Sequence, residues 1–188
     1  MRLFAVCVLV CASLQVMPGT VFAGEKSKAH ITRGIALYNS ENYLQAGVEF
    51  RKGLEAITDT DSRFEIIKLL NMMTTMFTSA EEIVLYRKWQ SAIKDGDYDD
   101  AIEHAAKALE LNPRNVLFYY NLAYAWMKYG NNQKAIYYLE EGRKIYPAYY
   151  PIMVRLMILY HVAGQHDGTR KMLYDYAFFL GLQKKAVQ

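Results

Sequence analysis

Between Gly96 and Pro147 the chain repeats itself at an interval of 34 residues, and few architectures tolerate such a recurrence. Gly96, Ala101 and Pro113 return as Gly130, Ala135 and Pro147. A further step keeps only the glycine, as Gly164, with Thr169 and Gly181 in the other two places. A period of this length holds two short helices and their turns. Such a unit cannot bury an apolar face alone, so neighbouring copies must stack. The glycines fall where a helix would end in the left-handed conformation, and the prolines where the next turn begins.

The run Gly96-Asp97-Tyr98-Asp99-Asp100-Ala101-Ile102, continued by Ala105, Ala108, Leu109, Leu111, Asn112 and Pro113, closely resembles the second half of a tetratricopeptide repeat. The resemblance implies an all-α, right-handed α-solenoid of helix-turn-helix repeats. It is strongest from Gly96 to Pro147 and extends over residues 27–180. Residues 82–115 and 116–149 read as full repeats, and 150–183 as a degenerate terminal repeat or capping helix. Gly34, Leu37, Tyr43, Ala46, Phe50 and Gly53 have a repeat's internal spacing but sit out of phase with the rest. Residues 24–60 are accordingly read as a degenerate N-terminal repeat, and 61–81 as an irregular connecting helix centred on Ser62 to Met76.

Helix crossings within such repeats need small residues, supplied here by Ala101, Ala108, Ala123 and Ala135. Leu122, Trp126 and Leu139 fill the space between. Trp89 stands where a small residue is usual, and is expected to push its helix away from a neighbour. Ser79 followed by Glu82 is a capping box that starts this helix.

Residues 1–23 read as a signal peptide. Met1-Arg2 is positive, Leu3 to Val10 is apolar, Pro18-Gly19 breaks the helix, and Val21-Phe22-Ala23 places small residues for cleavage after Ala23. The apolar run is shorter than the roughly 20 residues of a membrane span, so no stable span is expected once the segment is removed. A periplasmic or secreted location follows. Cys7 and Cys11 both lie in this segment, which leaves the mature chain without disulfide or thiolate chemistry.

Among 188 residues the net charge is only +3, and no block of Lys and Arg is present, so a nucleic-acid partner is not expected. Asp95 to Asp100 resembles a calcium loop, but Asp100 and Ala106 stand where that loop needs Gly and Glu. Met72, Met73 and Met76 are read as core filling rather than a copper site. His161 and His166 flank the Gly164 turn without a ligand pattern. Neither cofactor nor metal is expected, and no catalytic motif appears; the chain is read as non-enzymatic.

The resemblance instead implies a concave groove lined by the first helix of each repeat. Its residues are Ile83, Tyr86, Arg87, Gln90, Ile93 and Lys94, then Leu117, Tyr120, Asn121, Tyr124, Met127 and Lys128, then Val154, Arg155, Ile158 and His161. Arg87, Asn121 and Arg155 keep exact register as a ladder of hydrogen-bond donors, and Tyr86 and Tyr120 keep it as an aromatic row. Some family members grip a terminal carboxylate with a clamp of Lys, Asn and Arg. Asn121 and Arg155 fit two of its places, but Tyr86, Gln90 and Pro151 occupy others, so the full clamp is absent.

Tyrosine and arginine are common binding anchors. The working expectation is a protein-protein interaction module or scaffold of the cell envelope, holding a protein or peptide segment. One rival is a small-ligand or glycan-binding periplasmic protein. Another is a self-assembling component pairing as a homo-oligomer through Tyr174, Tyr176, Phe178, Phe179 and Leu180.

Overall fold

The computed structural model describes residues 24–179, so the segment read as a signal peptide, with its cleavage site, lies outside the described residues. The described chain is all helical: α1 Glu25–Asn39, α2 Tyr43–Glu55, α3 Thr60–Thr74, α4 Ala80–Asp95, α5 Tyr98–Leu111, α6 Val116–Lys128, α7 Asn132–Ile145, α8 Tyr150–Val162 and α9 His166–Phe179. Consecutive helices pack as pairs, α1 with α2, α4 with α5 and α6 with α7, and α5 and α7 also pack on the helices that follow them. The all-α helix-turn-helix organisation is the one the tetratricopeptide resemblance implies. Two compact units are present: Thr74–Tyr176, and a unit that runs to Met73 and takes in the chain from Ala177. Among the described residues no helix is long and apolar enough to cross a membrane.

In Thr74–Tyr176 the period is written into the backbone. The amides of Asp97, Asn131 and Gln165 donate to the carbonyls of Ala92, Trp126 and Tyr160 at 2.9, 2.8 and 2.8 Å. Each bond closes a helix over a left-handed glycine, with φ of 80° at Gly96, 95° at Gly130 and 69° at Gly164. The Gly164 turn therefore keeps this geometry although Thr169 and Gly181 stand where the two earlier intervals have Ala and Pro. The connections between repeats also keep register: Asn112 and Tyr146 donate to Ala108 and Gly142, and Asn115 and Tyr149 to Asn112 and Tyr146.

The second helices begin at side-chain caps. Asp97 accepts from the Asp100 amide at 3.2 Å, and Asn131 from Lys134 at 3.0 Å. Asp97, part of the calcium-like run, thus serves as a cap. Along α5, Ala101, Ala105 and Ala108 form one buried stripe.

Trp89 fits against that stripe. Its ring lies with Ala92, Ala101, Ala105, Leu122 and Ala125, and its Nε1 donates to the Asn121 carbonyl at 3.2 Å. The alanines of α5 and α6 make room for the indole, which joins one repeat to the next. The capping box of α4 is present in a variant form. Ser79 accepts from the Glu82 amide at 3.1 Å, but the Glu82 carboxylate reaches back to the amide of Thr78 at 3.1 Å and to its hydroxyl. Asn112 adds a bond to the same carboxylate at 3.1 Å, which satisfies a group that is 1% exposed.

In the N-terminal unit, α1 and α2 cross on glycines. Gly34 lies under the Phe50 ring and Gly53 under Ile31, both without room for a Cβ. The turn between them closes with the same bond, from the Asn42 amide to the Leu37 carbonyl at 2.9 Å, but Glu41 takes the left-handed place at φ 64°. Ser27 donates to the Gly53 carbonyl at 3.1 Å, and Glu49 accepts from His30 and Lys52, each at 2.8 Å.

Two side-chain expectations are corrected here. Met72 is 58% exposed, because it shares the outer face of α3 with Phe64 and Lys68 rather than that of buried Ile66, Leu69 and Leu70. The C-terminal aromatic residues do not form an open patch. Phe179 is 4% exposed, and the Arg63 guanidinium lies 5.1 Å from the Phe178 ring while donating to the Phe178 carbonyl at 2.8 Å and to that of Ile57. Arg51 sits 5.9 Å from both rings. Their own chain thus occupies these rings, which leaves Tyr174 as an exposed aromatic side chain of α9. Leu180 lies outside the described residues.

Candidate interaction surface

The first helices α4, α6 and α8 carry the candidate surface. Helical phase puts Leu85, Trp89 and Ala92 of α4 on the buried face and Tyr86 at its margin. On α6 it buries Phe118, Leu122 and Ala125 and leaves Tyr120 and Tyr124 half-buried beside them. Pro151 starts α8 with its fixed φ, and Arg155 follows one turn later.

These positions join into a continuous run of aromatic contacts. The Phe77 ring lies 5.3 Å from Tyr86, and Tyr86 stacks on Trp89 at 5.8 Å. Trp89 meets Tyr124 edge-on at 6.1 Å, Tyr124 stacks on Tyr120 at 6.3 Å, and Tyr120 meets Tyr149 edge-on at 6.5 Å. Arg155 sits at the centre. Its Nη2 donates to the Tyr120 hydroxyl at 3.3 Å, its Nη1 lies 3.8 Å from the Met127 sulfur, and its Cζ is 5.3 Å from the Tyr124 ring centre. Lys128 places its Nζ 5.6 Å from the same ring. Burial, reinforced by the nearby Tyr120, pushes the Tyr149 phenol well above its ordinary range, so it stays a neutral hydroxyl at any physiological pH.

Of the residues singled out from the sequence, Tyr86, Tyr120, Tyr124, Lys128 and Arg155 come together in this cluster. Arg87, Gln90 and Lys94 are exposed on α4 and make no hydrogen bond or ion pair among the described residues. Ile158 is 44% exposed, one turn beyond Arg155. Asn121 departs from the ladder. It is 2% exposed, set between Tyr120 and Leu122 on the inward side of α6, and its carbonyl holds the Trp89 indole. The middle rung is thus part of the packing between repeats, and the exposed donors are Arg87 and, half-buried, Arg155.

Tyr98, Tyr138 and Tyr160, expected to pack between helices, are all half-buried, and Tyr160 donates to Glu140 at 2.6 Å. His161 and His166 approach with ring centres 6.4 Å apart, both exposed. Among the described residues no group of three His, Cys, Asp or Glu side chains is placed to hold a metal ion.

Three participants were not legible in the sequence as part of this surface: Phe77, Trp89 and Tyr149. Trp89 stands out in the sequence only as a large residue where a small one is usual. Phe77 and Tyr149 lie in connections, where helical phase assigns no face. The Tyr149-Tyr150-Pro151 run, aromatic residues directly before a helix start, was the available signal.

Residues 86–150 match the family model described as Tetratricopeptide repeat. The Photosystem I assembly protein Ycf3 of Rippkaea orientalis (strain PCC 8801 / RF-1) is 26% identical to this chain over 119 residues, which cover 58% of this chain and 68% of that protein. The matched residues hold the Gly96 and Gly130 turns, which close with the same backbone bond 34 residues apart.

Proposed function

We propose that this chain is a non-enzymatic interaction module that holds an extended segment of a protein partner along α4, α6 and α8. The observation that carries this reading is the unbroken aromatic run from Phe77 to Tyr149, drawn from two successive repeats and the connection before them, with Arg155 of α8 seated on it. A sugar site gathers aromatic faces into one pocket. Here they are spread along the repeats, and Arg155 and Lys128 both lie on Tyr124. The spread supports a peptide-like ligand over a glycan. Rigid aromatic rings lose little entropy on binding, which suits them as anchors.

The relative's name describes an assembly protein, and an assembly or scaffolding role agrees with a surface of this kind. An exported, envelope location is part of the proposal and rests on the composition of residues 1–23 alone.

The test is a pull-down from cell-envelope extract with wild type and Tyr124→Ala/Arg155→Ala. A protein retained by wild type and lost by the variant, with helical circular dichroism unchanged, is the expected result. Equal retention by both moves the working surface elsewhere on the chain.

A further inference from the structure

We infer that the partner segment is acidic, and that side-chain carboxylates within it, rather than a chain terminus, seat on Arg155 and Lys128 beside the tyrosines. The inference rests on the interaction surface proposed above and names the chemistry it selects. Acidic side chains are absent from two of the three helices that carry the surface. α6 and α8 contain no Asp or Glu at all, and carry Lys128 and Arg155. The acids of this unit sit chiefly on the second helices, where cations of the same helix engage them: Glu103 by Lys107, Glu140 by Arg143 and Glu141 by Lys144. On α4, Glu82 is buried on Thr78 and Asn112, and Asp95 accepts from Ser91, while Glu81 lies in the first turn.

Arg155 is therefore half-buried with no carboxylate partner among the described residues. Its two hydrogen-bond contacts, a phenol at 3.3 Å and a thioether at 3.8 Å, are long and neutral, and its remaining contact is the Tyr124 ring. A partly desolvated guanidinium gains most from an ionised acceptor, which forms shorter and stronger bonds than a phenol. The Tyr120 hydroxyl, already beside the guanidinium, is a second donor for the same carboxylate. Exposed Arg87 and Lys94 on α4 extend the positive field along the surface.

An internal segment fits better than a terminal carboxylate. A terminus needs several donors converging on one point, whereas Asn121 is buried in the packing and Gln90 and Pro151 offer no charge. The cations instead lie spread along the helices, matching acids spaced along a chain.

The probe is a pair of fluorescently labelled, C-terminally amidated peptide pools, with Glu or with Gln at fixed alternating positions and mixed apolar residues between. Binding to the whole chain is followed by anisotropy at low ionic strength and again with added salt. The Glu pool should bind about tenfold or more tighter than the Gln pool, with the advantage shrinking as salt rises. Arg155→Gln/Lys128→Gln should erase the Glu advantage and leave Gln-pool binding intact. Equal binding of both pools, lost in Tyr124→Ala, overturns the acidic preference and leaves the surface standing. Stronger binding of a Gln pool with free C-termini than of the amidated Glu pool also overturns it, in favour of a terminal clamp. Binding of neither pool above the level of Tyr124→Ala counts against both readings.

Discussion

The α1-α2 hairpin and the hairpins of Thr74–Tyr176 close with the same backbone bond, yet they build the closure from different residues. In the α4-α5 hairpin a glycine takes the left-handed place and Ala101, Ala105 and Ala108 line the crossing. In the N-terminal hairpin Glu41 takes that place, and glycines line the crossing so that Phe50 and Ile31 can enter it. The hairpin also lies out of phase, with Glu41 55 positions before Gly96 and the helix α3 between them. The shape of a hairpin is thus set by backbone hydrogen bonding and close crossing, and more than one set of side chains meets those demands. The family match, which begins at residue 86, follows the side-chain pattern and not the shape alone.

The contrast is sharpest at the bulky residues. In the repeats, one large ring, Trp89, lies against alanines from two helices. Trp89→Ala should leave a cavity and remove the indole bond to the Asn121 carbonyl, and cost about 3–5 kcal/mol in urea denaturation followed by circular dichroism. Loss of less than about 1 kcal/mol would mean that the repeats collapse onto the gap and that the indole is no joint between them.

Gly53→Ala probes the opposite arrangement. Alanine ordinarily stabilises a helix interior relative to glycine by about 0.5–1 kcal/mol. At Gly53 the new Cβ would stand 2.5 Å from the Ile31 Cδ1 and 3.2 Å from its backbone nitrogen, and Ile31 is fully buried. Net destabilisation of about 1–3 kcal/mol is expected, seen as faster amide hydrogen exchange in α1 and α2 peptides. Adding Ile31→Val should restore part of it by removing Cδ1. A stabilised Gly53→Ala would erase the distinction between glycine and alanine crossings.

How much of this was legible depended on what the sequence had to encode locally. The left-handed turns at Gly96, Gly130 and Gly164 were readable because few residues other than glycine suit that conformation. Buried Ala101, Ala108, Ala123 and Ala135 were readable because the crossing tolerates only small side chains. Glu41 was not, since nothing in its chemistry announces a positive φ. On the candidate surface, Tyr86, Tyr120, Tyr124, Lys128 and Arg155 followed from helical phase, whereas Asn121 was misplaced. A residue at the edge of a helix stripe turns inward or outward according to its neighbour's bulk, and here Trp89 reaches over to the Asn121 carbonyl. Met72 differs for a similar reason: adjacent Met72 and Met73 cannot share one helix face, and Met72 falls in line with exposed Phe64 and Lys68. Tertiary packing, not propensity, made both decisions.

Glu41 and Gly96 offer a reciprocal exchange. A side chain in the left-handed conformation costs roughly 1–2 kcal/mol relative to glycine. Glu41→Gly should therefore stabilise the N-terminal hairpin by about 1 kcal/mol, somewhat offset by the greater freedom of glycine in the unfolded chain. Gly96→Ala should destabilise the first full repeat by a similar amount, although its Cβ meets open space. Hydrogen exchange of the flanking helices reads both. If Glu41→Gly destabilises, the Glu41 side chain contributes a contact that outweighs its backbone conformation.

The smallest effect expected is a difference in acid response. The Glu49 carboxyl is held down to about 2, from an ordinary 4.5, first by its hydrogen bond from His30 and then by that from Lys52. Glu103 in the repeats is lowered too, by Lys107, but that pair is exposed and water screens it. A depressed carboxyl contributes stability that is whole above its unfolded value and disappears as pH falls through its folded one. For Glu49 the window runs from pH 4.5 down to about 2. Across it the gap in urea midpoint between wild type and Glu49→Gln should close, while the gap between wild type and Glu103→Gln should change little. The Lys52 arm is exposed and supplies at most about 1 kcal/mol of this, so the His30 contact, on the neighbouring helix, carries the difference between the two units. A gap that stays constant over the window would show that the Glu49 carboxylate is not what ties α1 to α2.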